Sequence, residues 1–486
     1  TGTLNNREQS LIFSAGDLAI GRALSAADTA QDRAQLLTNA SATIEALGDL
    51  SLDVQSVRNT NEHFSTREVE VSRTPMQDFQ LSGSTNRYQG SQISIHNDEV
   101  NYLTTPDGQR DNWNRYDYTR VVTETQIATS APGQILSGGN LTINAGDVLN
   151  DKSRIIAGGL LQANITQLTN TELSGERTTT DSGTVTNFYR IQRKGRDRQG
   201  ASTAAYTPAP LIQEISLQPT VFAQNTTVNG TGTQISARAT QTVGQQVAAT
   251  GTVTAPVGRT NQVAPIVQVD AQTTQNAQGI AEQIRSGGPS LDLPNNSLFT
   301  TNPQTTSGYL VETDPRFASY RTWLSSDYML ERLQVDPALT QQRLGDGFYE
   351  QKLIREQVAQ LTGRRFLDGY ANDEAQYRAL IDNAVTVANQ WQLVPGVALT
   401  SEQMAQLTSD IVWLVQQKVT LANGQTRDVL VPQVYVRVQE GDLNGSGSLI
   451  AGQRLNLNIA GDLINSGSLA GRSVMAITAQ NIANLG

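Results

Sequence analysis

A 20-residue internal repeat constrains this chain more than any other feature. Gly441-Asp442-Leu443-Asn444 returns 20 residues on as Gly461-Asp462-Leu463-Ile464-Asn465. Gly447-Ser448-Leu449-Ile450-Ala451-Gly452 returns at the same interval as Gly467-Ser468-Leu469-Ala470-Gly471. In the N-terminal half, Leu136-Ser137-Gly138-Gly139 and Ile156-Ala157-Gly158-Gly159 keep the period. Gly16-Asp17-Leu18 and Gly48-Asp49-Leu50 read as further copies with an insertion between them. Within a unit, Leu141-Thr142-Ile143-Asn144 and Leu455-Asn456-Leu457-Asn458-Ile459 alternate apolar and polar residues, the period of a strand with one buried face. Gly-Asp, Asn-Asp and Ser-Gly then turn the chain. Coils of this length, stacked at about 4.8 Å, are the signature of a parallel β-helix, in which each coil buries its apolar face only against its neighbours. The expected fold is mainly β: a right-handed parallel β-helix with projecting hairpins and an inserted small helical (α+β) domain. Asn150 and Asn170, also 20 apart, are placed to stack as an internal ladder.

The repeat is interrupted, and the interruptions set the expected domains. Residues 1–61 read as β-helix repeats, with 21–35 forming a short helix or a loop. Residues 62–134 leave the pattern and carry aromatics and charges, as hairpins projecting from the shaft. Repeats with a further hairpin fill 135–199, ending in the basic run Arg190 to Arg198. Residues 200–308 are rich in Thr, Gln and Pro and read as linker or disorder. Alternation over Val263-Ala264-Pro265-Ile266-Val267-Gln268-Val269 instead suggests extended strands along the shaft. Residues 309–438 read as an inserted helical domain with a C-terminal hairpin, Val412 to Leu421 and Val429 to Val438 around Ala422-Asn423-Gly424-Gln425. Its helix signals are Asp336-Pro337, Thr400 with Gln403, and an apolar face of Tyr377, Leu380, Ile381, Ala384, Ala388 and Trp391. Repeats resume over 439–486, where either pair of Val474-Met475-Ala476-Ile477 fits the inward register.

Composition narrows the function. The chain is 37% hydrophobic and 16% charged, so its core is built thinly along a line rather than as one ball. A net charge of −10 and no basic stripe argue against a nucleic-acid partner. No cysteine is present, which excludes a disulfide framework and cysteine-ligated metals. Only His63 and His96 supply imidazole, so no zinc site and no cofactor are expected. No apolar run approaches membrane-spanning length and no signal peptide stands at Thr1. The chain begins and ends inside repeats and reads as an excised segment.

Catalytic motifs are missing: no Gly-x-Ser-x-Gly elbow, His-Glu-x-x-His or phosphate loop appears. Asp346 and Glu350 lie one helical turn apart, but Asp346 reads as a helix cap between Gly345 and Gly347. Asp17, Asp49, Asp147, Asp442 and Asp462 recur at turns, which favours turn chemistry over the paired carboxylates of a polysaccharide-cleaving β-helix enzyme. The candidate receptor contacts are Tyr102, Trp113, Tyr116 and Tyr118, in a segment that looks too polar for a core of its own. The competing reading has them covering apolar edges of the shaft. Trp323, Tyr328, Trp391 and Trp413 read as core of the inserted domain, and Arg364-Arg365 as a solvated or salt-bridged pair.

The motif Gly138-Gly139-Asn140-Leu141-Thr142-Ile143-Asn144-Ala145-Gly146 resembles the filamentous haemagglutinin repeats of two-partner secretion exoproteins, as do Ile155 to Gly159 and Gly441 to Gly486. Tyr309 to Pro315, Ser326 to Leu330, Arg343 to Glu350, Leu361 to Arg365, Leu407 to Trp413 and Val429 to Pro432 resemble a block of contact-dependent growth inhibition exoproteins, the CdiA family. The resemblance implies a secreted, non-enzymatic segment on the surface of a Gram-negative cell, exported through an outer-membrane transporter partner. It further implies that this region recognises an outer-membrane protein receptor on neighbouring bacteria for toxin delivery. The alternative is a haemagglutinin-like adhesin shaft that binds host surfaces.

Overall fold

The computed structural model describes every residue except 1, 26–29, 98–100, 218–219, 224–265, 276–280, 295, 304–306, 320–321, 444–446 and 486. The chain divides into two compact units. One comprises Thr1–Thr66, Ile127–Leu173 and Leu217–Gly486; the other comprises Arg67–Gln126 and Ser174–Ser216.

Parallel pairing builds a β-helix in the first unit, with three faces per coil. The first face stacks Leu11–Ser14, Thr43–Ala46, Gln134–Ser137, Arg154–Ala157 and the start of Leu449–Ile459. The second stacks Leu18–Ile20, the start of Leu50–Thr60, the start of Leu141–Asp151, Leu160–Ile165 and the end of Leu449–Ile459. The third runs from Thr3–Arg7 through Ala34–Ala40 and Gln167–Thr171 to Asp462–Asn465 and Asn481–Asn484. The sequence period is the pairing register: Leu141 pairs with Leu161, and Leu161 with Leu455 across a long excursion of the chain. These leucines, with Ile44, Ile135, Ile155 and Ile450, form the buried inward columns. Met475 pairs with Leu455 and Ile477 with Leu457, so these two, not Val474 and Ala476, continue the inward register.

Two polar devices hold the turns. Asn6, Asn39, Asn59, Asn150, Asn170, Asn465 and Asn484 form one continuous amide ladder, each Nδ2 donating to the next Oδ1 at 2.6–2.8 Å. Each rung stands towards the end of a third-face strand, and the first six also donate to corner carbonyls, as Asn150 does to Ser153 O at 2.8 Å. The corner carbonyls also accept a backbone N–H from the next coil, as Ser153 O does from Leu449 N at 2.9 Å, so the ladder fills their second acceptor position. At another turn, Asp17 accepts from Asp49 N at 2.8 Å, Asp49 from Asn140 N at 2.7 Å and Asn140 from Leu160 N at 2.9 Å. Glycine recurs beside them because a Cβ on Gly158 would stand 2.2 Å from the Gly138 carbonyl.

Every long excursion leaves the stack at the corner between third and first faces. The chain departs after Asn61 to return at Gln134, and departs after Leu173 to return at Leu449. Elsewhere the same corner is closed by Ser41–Ala42, Lys152–Ser153 or Ser466–Gly467. The described residues of 21–35 are not helical. Ala23–Leu24 pairs antiparallel with Ala30–Gln31, and Ala34 opens a strand, because the stack supplies a parallel partner at Val54. Gly441 to Leu443 does not join the stack either; Leu443 N donates to Thr362 O at the end of a helix instead.

The second excursion builds the helical domain: α1 (Pro315–Ala318), α2 (Asp327–Arg332), α3 (Gly347–Thr362), α4 (Asp373–Trp391) and α5 (Ser401–Ala405). Thr400 and Gln403 form the capping box of α5, and Asp336 caps a 3-10 turn at Pro337. The helices pack on a sheet whose central strand, Thr426–Arg437, forms a hairpin with Ile411–Thr420. Gln357 of α3 satisfies the strand edge at Pro432: it donates to Pro432 O and accepts from Val434 N, both at 2.9 Å. Ile266–Gln275 and Ala281–Gly287 extend this sheet, so the described part of the Val263–Val269 alternation belongs to the domain, with Ile266 and Val269 in its core. Residues 263–265, like most of 224–280, lie outside the described residues.

Helix α3 also lies on the outer side of the first face, where Ala359 packs against Leu136, Ile156 and Leu449. In that column stands Glu45, 2% exposed. Its carboxylate meets Arg355 Nη2 at 3.1 Å and Arg365 Nη2 at 3.0 Å, and Arg365 is held in turn by Asp373 at 2.8 Å. Arg355 Nε lies 2.8 Å from Glu45 as well, but its hydrogen is not aimed at the oxygen, so that contact is Coulombic only.

Candidate recognition surface

The second unit is an antiparallel sheet assembled from both of its chain segments. Trp113–Thr129 pairs with Ser174–Ile191 from Trp113↔Phe188 to Glu124↔Arg177. Ser174–Ile191 pairs in turn with Arg198–Tyr206 and Leu211–Ser216. Strand alternation divides the aromatic residues between two faces. On one face Trp113 stacks on Phe188 at 4.0 Å and packs with Phe79, Leu81 and Leu103. This is a small core after all. Residues 62–134 look too polar for one because Phe188 arrives from far along the chain.

The other face carries a ladder of rings and guanidinium groups. Arg87 lies 3.8 Å from the Tyr116 ring centroid and 5.1 Å from that of Tyr206, and donates to the Tyr206 hydroxyl at 2.7 Å. Tyr206 meets Tyr116 and Tyr118 edge-on at 5.0 and 5.3 Å. Arg120 continues past Tyr118 at 5.7 Å and forks onto Asp181 with bonds of 2.9 and 2.8 Å. Tyr116 donates to Gln80 Oε1 at 2.6 Å and Tyr118 to Asp78 Oδ2 at 2.7 Å. Burial, then the bond to Asp78, pushes the Tyr118 phenol well up. Gly183 pairs with both Tyr118 and Tyr206, and a Cβ there would stand 2.2 Å from Asp117 O.

Of the four residues singled out in the sequence, Trp113, Tyr116 and Tyr118 are thus buried, the last two as ladder members. Tyr102 is half-buried and stacks on His96 at 4.4 Å. Tyr116 and Tyr118 share a face, Trp113 lies on the opposite one, and Tyr102 belongs to a separate sheet of Ser94–Asn97, Asn101–Thr105 and Gly108–Arg110. Arg87 and Tyr206 were not legible as partners: 119 residues separate them and neither has a local motif.

The carboxylates of the helical domain are structural. Asp346 caps α3, accepting from Tyr349 N at 3.0 Å. Glu350 is fully enclosed, accepting from Ser326 N and Oγ at 2.6 Å and from Tyr377 at 3.0 Å. Burial pushes its carboxyl up to about 7. Trp413 lies in the core, Tyr328 and Trp391 pack against it, and Trp323 sits edge-on to Phe348 in a second cluster. Arg365 is a buried salt-bridged residue and Arg364 pairs with Asp442. Among the described residues no group of three or more His, Asp or Glu is placed to hold a metal ion, and no helix is long and apolar enough to cross a membrane.

Comparison with known proteins agrees with the stack. The haemagglutinin repeat family model matches residues 1–98, 85–187 and 433–486, the segments that contain the coils. Toxin CdiA of Yersinia pestis is 30% identical over 74% of this chain and 12% of its own length. A tRNA nuclease CdiA-2 of Burkholderia pseudomallei is 34% identical over 40% of the chain and 6% of its own length. A tRNA nuclease CdiA of Yersinia mollaretii is 36% identical over 38% and 6%. The chain therefore spans only a small part of each relative. No solved structure matches it. On its repeat, its β-helix and these relatives, the chain belongs to the filamentous haemagglutinin and CdiA family of two-partner secretion exoproteins.

Proposed function

We propose that this chain is the shaft and recognition segment of a secreted exoprotein on a Gram-negative cell surface. In this reading it binds an outer-membrane protein receptor on neighbouring bacteria, and toxin delivery is the task of the longer protein. Export runs through an outer-membrane transporter partner. The segment itself is non-enzymatic, and 309–438 acts as a domain inserted into the shaft. The arginine–tyrosine ladder of the second unit carries the reading: rings fixed by hydrogen bonds and guanidinium contacts lose little freedom on binding, and Tyr and Arg are the side chains that anchor interfaces. Tyr102, Tyr116 and Tyr118 are the proposed contacts, the latter two only through the 8% and 6% of each that stays exposed, with Trp113 holding the sheet beneath.

The test is binding of the purified chain to intact Gram-negative cells across a panel of single outer-membrane-protein deletions. Loss of binding in one strain names the receptor, and Arg87→Ala should weaken binding to the remaining strains. Uniform or absent binding refutes the receptor reading. Binding to host surfaces would then support the adhesin alternative, with which the haemagglutinin repeat match is equally compatible.

A further inference from the structure

Between the first face of the β-helix and α3 lies a cavity of about 170 Å³. One wall is a column of in-register residues, Thr43, Gln134 and Arg154. The other is the stripe Tyr349, Lys352, Glu356 and Gln360 of α3, spaced at helical intervals. The neighbouring outward column is apolar apart from Glu45, and there α3 packs directly on it. The cavity is where packing gives way to unpaired polar groups.

Arg154 is the anomaly. It is 6% exposed, its Nε has no hydrogen-bond partner, and it makes no ion pair among the described residues. The two carboxylates that bear on it, Glu356 and Glu172, act only through space. Glu356 is already paired with Lys352, and Glu172 accepts from the Ser448 and Leu173 backbone. Burial pulls the guanidinium down to about 10, which leaves it cationic at neutral pH. A buried cation without a counter-ion is costly, and polar surface facing a roomy cavity invites a ligand that supplies one. Beside it Gln134, 9% exposed, presents an Oε1 with no donor. The site therefore lacks an anion at one point and a hydrogen-bond donor at the next. Asp292, also on the lining, has its carboxyl pushed up by burial.

We propose that this cavity binds a small hydroxycarboxylate, whose carboxylate forks onto the Arg154 guanidinium while a hydroxyl donates to Gln134 Oε1. Sugar acids and small hydroxy acids share that chemistry. The site is independent of the second unit and of any receptor it binds.

Calorimetric titration of the purified chain at neutral pH tests it with four probes. D-glucuronate should bind saturably, acetate (charge without hydroxyl) more weakly, and glucose (hydroxyls without charge) not at all. Arg154→Met should lose about tenfold or more in glucuronate affinity, the scale of a charge-assisted bond. It should also melt no lower than the parent, because it removes an uncompensated buried charge. Gln360→Trp fills the cavity from the helix side without altering the coil, and should abolish binding even if Arg154→Met does not fold. Absence of saturable binding, binding of inorganic phosphate alone, or binding unchanged in both variants would overturn the proposal.

Discussion

Replacing Glu45 by Ala should uncouple the helical domain from the β-helix while leaving both folded. Glu45 is the one charged residue in a column continued by Leu136 and Ile156, and two guanidinium groups of the domain converge on it. Its loss leaves Arg355 and Arg365 sharing only Asp373, at 3.9 and 2.8 Å, so one buried positive charge is uncompensated. Removing one partner of a buried ion pair costs about 3–5 kcal/mol. With a urea m-value of about 1–3 kcal/mol/M, the domain's midpoint should fall by about 1–5 M. In a Trp113→Phe background, which removes the one tryptophan of the second unit, fluorescence of Trp323, Trp391 and Trp413 follows the domain, and far-UV circular dichroism follows the strands. Parent protein should show the two signals nearly coincident, and Glu45→Ala should separate them, fluorescence moving first. Replacing Glu45, Arg355, Arg365 and Asp373 together by apolar residues of similar volume should restore most of the loss. A midpoint for Glu45→Ala within about 0.3 M of the parent, well inside the shift worked above, would refute the argument.

Asn150→Ala should lower stability by about 2–3 kcal/mol, since it removes a second donor to Ser153 O and breaks the ladder on both sides, whereas Asn164→Ala on an outer face should cost about 1 kcal/mol or less; denaturation midpoints compare them. Gly183→Ala should force apart the strands that carry Tyr118 and Tyr206 at a cost of about 1–3 kcal/mol, read as a loss of near-UV tyrosine dichroism. Glu350 titrates higher folded than unfolded, so the native state holds the extra proton and stability falls as pH rises from about 4.5 to about 7. That decline, on the order of 3 kcal/mol at most, should flatten in Glu350→Gln when melting temperature is followed across the range.

The coils were legible because a strand buried on one face and stacked on near-copies must repeat its pattern at the length of the coil. Asn150 and Asn170 follow from that period, and the same logic extends to Asn39 and Asn59, which share the interval. Local signals also held where the chemistry is local: the Asp346 cap, the Thr400–Gln403 box and the hairpin at Gly424. What escaped is non-local. Phe188 completes the core around Trp113 from 75 residues away, and no periodicity within either segment announces the pairing. Glu45 looks like any polar residue of an alternating strand until α3 is laid on it. Residues 21–35 read as a short helix or a loop; in their described part the helix alternative loses, because partner strands in the stack outweigh propensity.

In the β-helix the backbone hydrogen bonds run along the stacking axis, not across it. Tension applied along that axis therefore meets one coil's bonds at a time, and the stack yields by peeling. Each coil surrendered converts about 4.8 Å of axial length into about 70 Å of slack chain at roughly 3.4 Å per residue. Where Glu45 is gripped by Arg355 and Arg365, peeling must also drag a domain off its seat, so the clamp sets where extension pauses. A stack made this way absorbs a pull by lengthening in small steps rather than by snapping.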